Sequence, residues 1–174
     1  MAEKNYDLAY ISGYLWWLNI SEADYRASQN IALAREAFRN IRDQAGDACV
    51  GLVYQPTKGH IYFQYADPAG NRDLVLENGV QMGLNAEGWI VEQVFGPLDY
   101  ASFIQNVDNQ HTVMREVAQE LGLHFIDLVP AFQAAAQQGR LLYYPYDSHM
   151  SEAGHILAGE TIAAYLEANA DGCD

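Results

Sequence analysis

Ala27, Ile31, Ala34, Phe38 and Ile41 recur every three or four residues, with Arg35, Arg39 and Arg42 between them. That spacing predicts an amphipathic helix from Ser21, a capping serine followed by Glu22 and Asp24, to a stop near Gly46. Ala48 to Tyr54 then runs almost continuously apolar, the pattern of a strand buried on both faces of a parallel sheet. Both patterns return further along. Phe103, Val107, Met114, Val117, Ala118 and Leu121 predict a helix over Leu98 to Leu121 with Gly122 as its stop, and Leu123 to Val129 predicts a second buried strand. Pro130 suits the first position of a helix running to Gln138, with Gly139 closing it and Asp127 at the strand end as its cap. Ile156, Leu157, Thr161, Ile162, Tyr165 and Leu166 mark a last helix, opened by Ser151 as N-cap and Glu152 on the positive end of its dipole.

Two stretches depart from these patterns. Leu8, Ile11, Leu15 and Leu18 have near-helical spacing among Tyr6, Tyr10, Tyr14, Trp16 and Trp17, which predicts a short helix or an irregular packing segment. Residues 66 to 98 carry glycines and prolines that argue against a long helix, while Asp73 to Leu76 and Trp89 to Val91 read as short strands of a hairpin or of an excursion from the main fold, bordering a pocket. His111 falls within a helix and reads as a surface or packing residue. The order of elements predicts a single α/β domain over 1–174, a three-layer α/β/α arrangement with a parallel sheet, an aromatic segment at 1–20 and a tail at 169–174. Two clear strands are few for three layers, so the fold is expected to be incomplete on its N-terminal side.

The chemistry concentrates in Tyr143-Tyr144-Pro145-Tyr146-Asp147-Ser148-His149, just before the last helix. A histidine works as a general base only if a partner fixes its tautomer and stabilises the imidazolium it becomes, and Asp147 is placed to do this for His149. His155, on the first turn of the following helix, is a further candidate. So is Lys58, in the Pro56-Thr57-Lys58 turn where the first strand meets the carboxyl edge of the sheet; Thr57 capping a short helix with Lys58 in solvent is the structural alternative. His60 shares that location. Trp89 is a possible substrate contact, and Trp16 and Trp17 could stack on a sugar ring or simply pack.

Pro145-Tyr146-Asp147-Ser148-His149 followed by Glu152-Ala153-Gly154-His155 resembles the C-terminal catalytic block of the SGNH, or GDSL, hydrolases. Phe125-Ile126-Asp127-Leu128-Val129-Pro130 and Leu52-Val53-Tyr54-Gln55-Pro56-Thr57-Lys58 resemble earlier strand-and-turn segments of that family, in the same order. The resemblance implies a flavodoxin-like sheet and an ester hydrolase in which His149 is the base and Asp147 its orienting acid. It also implies a nucleophile in Gly-Asp-Ser, which this sequence lacks; Gly83-Leu84-Asn85 is the nearest match to the family's Gly-x-Asn element. The expected role is therefore the C-terminal part of an SGNH-type esterase, acting on an acyl or acetyl ester of a carbohydrate. A non-catalytic carbohydrate-binding relative is the alternative.

Charge narrows the partners. The formal net charge of −14, from 9 Lys+Arg against 23 Asp+Glu, argues against nucleic acid and anionic membranes as partners, and the small-molecule or glycan ester is what the resemblance implies. Cys49 and Cys173 form no metal cluster, and Asp147, His149 and His155 lack the one-face spacing of a metalloprotease site, so no metal or other cofactor is expected. No secretory pattern occupies the N-terminus, and the apolar stretch from Leu8 to Ile20 is too short to span a bilayer. Compartment and oligomeric state are left open.

Overall fold

The computed structural model describes residues 6–67, 72, 76, 80–84, 90–94 and 98–169. Helices α1 (Ser12–Leu18), α2 (Glu22–Ala27) and α3 (Gln29–Ala45) come first, then strand β1 (Gly51–Tyr54) and helix α4 (Lys58–Tyr62), which runs into a 3-10 turn at Phe63–Tyr65. Strands β2 (Val80–Leu84) and β3 (Ile90–Val94) follow, then α5 (Tyr100–Asn106), α6 (Asn109–Glu120), β4 (His124–Asp127), α7 (Val129–Gln137) and α8 (Glu152–Ala168).

β1 and β4 pair in parallel, Gly51 opposite His124 and Tyr54 opposite Asp127, which brings the two expected strands side by side with their carboxyl ends level. The architecture is mixed α/β on a two-stranded parallel sheet. β1 is not buried on both faces: its residues alternate between exposed and half-buried, and Val53 is 40% exposed. The apolar run predicts full burial, but β4 is its one strand partner among the described residues, so its other edge is unpaired there.

Both long helices expected from the sequence are interrupted, the first by a serine that competes with the helical backbone. Ser28 is extended; its hydroxyl donates to Tyr25 O (2.8 Å) and accepts from Ile31 N (3.2 Å), ending α2 and capping α3. Between α5 and α6, the Asn109 amide donates to Asn106 Oδ1 (2.9 Å) and Ile20 O (3.1 Å), and the Asn106 amide donates to Asn19 O (3.1 Å). These amides fasten the α1–α2 turn and leave Asp108 turned toward His60.

The excursion does hold a hairpin, with β2 and β3 antiparallel and Leu84 opposite Ile90. Its strands are displaced from the expected ones. Ile90 and Val91 fall in β3, whereas Asp73 to Val75, Asn85 and Trp89 lie outside the described residues.

Among the described residues three apolar clusters hold these elements together. Leu15, Leu18, Phe63, Phe103 and Val107 join α1, the 3-10 turn and α5; Tyr25, Ile31, Val113, Val117 and Leu121 join α2, α3 and α6. The third matters most for function. Ile61, Tyr62, Leu128, Phe132, Leu142, Tyr143 and Ala158 pack α4, α7 and α8 around the base of the Tyr143–Met150 loop. Each fully buried side chain of this size contributes roughly 1.5–3 kcal/mol.

Candidate functional site

The loop from Tyr143 to Met150 begins and ends on one antiparallel bridge, where Tyr144 N donates to His149 O (3.1 Å). Its base is tied to both neighbours. Tyr143 OH donates to Pro56 O, Leu142 N donates to Tyr62 OH (2.9 Å), and Tyr62 OH donates to Arg140 O (2.7 Å). On the other side, Ser151 N donates to Leu142 O (2.9 Å), while its hydroxyl donates to Leu141 O (3.0 Å) and caps α8 by accepting from Gly154 N. The start of α8 is thereby fixed to the loop that carries the chemistry.

Within the loop Asp147 Oδ1 accepts from His149 N (2.9 Å) and pairs with His149 Nδ1 (2.5 Å). The backbone N–H of His149, and then its imidazole, hold the Asp147 carboxyl below the ordinary carboxylate range. An anionic acceptor at Nδ1 fixes the proton there and leaves Nε2 free to take another.

Two further Asp–His pairs occur among the described residues. His60 Nε2 lies 2.8 Å from Asp108 Oδ1, and His111 Nε2 lies 2.9 Å from Asp127 Oδ2. His60 and His111 are buried, their rings 6.1 Å apart beside Tyr54, at the carboxyl ends of β1 and β4. His149 differs from both because 80% of its side chain is open to solvent. It also lines a cleft of about 510 Å³, together with Tyr10, Tyr14, Gln55, Thr57 and Ser148. Of the three pairs, only Asp147–His149 can meet a substrate.

The other candidates have separate fates. Lys58 lines the same cleft, but it is 5% exposed and its ammonium donates to the carbonyls of Tyr144, Pro145 and Asp147 at 3.2, 3.0 and 2.8 Å. Thr57 does cap α4, accepting from His60 N (3.2 Å), yet Lys58 points into the protein rather than to water. His155 is exposed on α8 and is not part of the cleft wall. Trp16 and Trp17 pack edge to face, 5.9 Å apart, and the aromatic residues that the N-terminal segment gives the cleft are Tyr10 and Tyr14 instead. Trp89 lies outside the described residues. Asp127 caps α7 by accepting from Val129 N (3.0 Å) while pairing with His111, so one carboxylate serves both ends of a buried network. No group of three metal-ligating side chains is found among the described residues, and no described helix is long and apolar enough to cross a membrane.

His111 makes the fold acid-sensitive. Burial pushes its pKa below the ordinary histidine value, with Arg115 and His60 adding to this and Asp127 opposing it. The unfolded chain therefore binds the proton first as pH falls, and stability drops as pH goes below the unfolded value of 6.5 toward the lower folded one. The melting temperature should fall between pH 7 and pH 5. His111→Gln should flatten that decline by more than half; equal slopes in variant and parent would exclude His111 as its source.

Comparison with protein-family models, with curated proteins and with solved structures finds no match to this chain.

Proposed function

We propose that this chain carries the acid–base part of an SGNH-type serine ester hydrolase, with an acyl or acetyl ester of a carbohydrate as substrate. One observation carries the reading: the sole Asp–His pair open to solvent among the described residues stands on a cleft. In the reaction, His149 Nε2 takes the proton of an attacking hydroxyl and returns it to the departing alcohol. Asp147 keeps the imidazole in the required tautomer and stabilises its cation. Tyr10, Tyr14 and Tyr146 around the cleft suit the apolar face of a sugar ring.

The nucleophile is assigned to no residue here. Gly-Asp-Ser is absent from the sequence, and among the described residues no serine or threonine hydroxyl bonds to His149. Among the described residues β1 pairs with β4 alone, and its other edge is where the further strands of a three-layer sheet would join. The missing hydroxyl partner also favours a second reading, a non-catalytic carbohydrate-binding protein that uses the same tyrosine-lined cleft.

Hydrolysis of p-nitrophenyl acetate by the purified chain, beside His149→Ala, tests the proposal. An activated ester is chosen because a carboxylate-held imidazole attacks it even without a serine. The expected result is a rate well above that of His149→Ala, in which the exposed His155 imidazole sets the background. A folded protein with no His149-dependent rate would sink the hydrolase reading, and saturable binding of an oligosaccharide by the same sample would then establish the binding one.

A further inference from the structure

The chain has two lysines, and one of them, Lys58, is buried. Its position is unfavourable on two counts. It is the first residue of a helix, where the dipole repels a cation, and burial strips water from an ammonium ion. Desolvation accordingly lowers its pKa below the ordinary lysine value, with the Asp147 carboxylate acting in the opposite sense.

What compensates is a set of three carbonyl oxygens, one for each N–H of the ammonium, from Tyr144, Pro145 and Asp147. The Tyr10 ring adds its face, with the ammonium 5.6 Å from its centroid. Those carbonyls belong to four consecutive residues. Turning three carbonyl dipoles of so short a segment toward one point is repulsive unless a cation sits there. The segment so curved ends on Asp147, whose side chain holds His149. The Pro145 carbonyl also accepts from Ala9 N (2.8 Å), which brings the N-terminal wall of the cleft to the same point.

We propose that Lys58 is the positioning residue of the Asp147–His149 pair, its ammonium fixing the curve of residues 144–147 that brings the Asp147 carboxylate to His149 Nδ1. Lys58 touches no substrate in this role; it acts through the loop. The assignment rests on reading Asp147–His149 as the acid–base pair, but its test reads the imidazole directly and needs no turnover. Loss of this assignment and loss of the hydrolase reading are therefore separable.

The test is a long-range proton–nitrogen correlation of the five histidines in the full ¹⁵N-labelled chain, in the parent, in Lys58→Met and in Lys58→Arg. In the parent, His149 should be protonated at Nδ1. In Lys58→Met, which keeps the length of the side chain without its charge, His149 should relax to the mixed tautomers of a free imidazole. His124, bonded to Tyr165 (3.0 Å), should keep its signals and report an intact fold. Lys58→Arg, with several N–H donors for the same carbonyls, should restore part of the Nδ1–H population. A folded Lys58→Met with His149 still locked at Nδ1 would overturn the proposal. If Lys58→Met does not fold, the parent decides it: the Lys58 ammonium should be a slowly exchanging group at neutral pH, and exchange as fast as that of a free lysine would overturn the clamp.

Discussion

Asp147→Asn should lower His149-dependent ester hydrolysis by about a hundredfold or more while leaving the melting temperature almost unchanged. One carboxylate oxygen takes both the backbone N–H and the Nδ1 position of His149. An asparagine amide offers one neutral oxygen for those two partners, and its NH₂ group favours the opposite imidazole tautomer, in which Nδ1 accepts and Nε2 already holds a proton. An Nε2 so protonated can neither attack the activated ester itself nor take a proton from an attacking hydroxyl. Stability should hardly respond, because Asp147 and His149 side chains are 53% and 80% exposed and open pairs of this kind contribute little to folding. The split is what identifies the pair as chemical rather than structural. A variant that melts with the parent and hydrolyses p-nitrophenyl acetate as fast would show that Asp147 does not set the state of His149.

The local elements were legible wherever one residue type has one physical use. Ser21, Thr57 and Ser151 all cap the helices they precede, Gly46 and Gly122 end or follow helices at positive φ, and Pro130 lies in the first turn of α7, one residue after its Val129 start. The two apolar runs became the paired strands. Periodicity failed at two breaks, a local one where the Ser28 hydroxyl takes up Tyr25 O and Ile31 N and a long-range one where Asn106 binds Asn19 across the fold, since the apolar pattern is helical on both sides of each. It failed again on β1, because an apolar run reports what a strand can bury and not which neighbours it has.

For the site, Asp147 and His149 were legible because they are two residues apart, so local sequence suffices to join them. The role of Lys58 was not. Its partners lie 86 to 89 residues away and are backbone carbonyls, which any sequence supplies. One sign was nonetheless available: in a chain so poor in lysine, one placed on the unfavourable end of a helix requires compensation from elsewhere. The pairings of His60 and His111 were hidden for a like reason, since their carboxylates, Asp108 and Asp127, lie 48 and 16 positions away and no spacing rule joins them. Tyr10 and Tyr14 reach the cleft from a segment whose tryptophans were the more conspicuous sugar-binding candidates.

Gly154→Ala should destabilise the protein by roughly 2–3 kcal/mol, against the sign that helix propensity alone dictates. In an ordinary helical position the change to alanine is favourable by about 1 kcal/mol. At Gly154 a Cβ would lie 2.2 Å from Leu142 O, with the Leu142 carbonyl carbon at 3.1 Å and Met150 Cβ at 3.2 Å. The nearest obstacle is backbone, and it cannot turn aside as a side chain can. Moving it also weakens the bond it accepts from Ser151 N and strains the junction of the loop with α8. Gly159 in the same helix supplies the control, because a Cβ there meets nothing within 4 Å. At about 2–4 °C per kcal/mol for a domain of this size, Gly154→Ala should lower the melting temperature by roughly 4–12 °C, and Gly159→Ala should raise it by about 2–4 °C. Opposite signs from one substitution in one helix would show that α8 is seated against the loop base as described, and equal signs would mean that it is not. Because Met150 and Ser151 directly follow His149, Gly154→Ala should also slow His149-dependent hydrolysis at temperatures where the variant is still folded, whereas Gly159→Ala, with the same chemistry farther along the helix, should leave the rate unchanged.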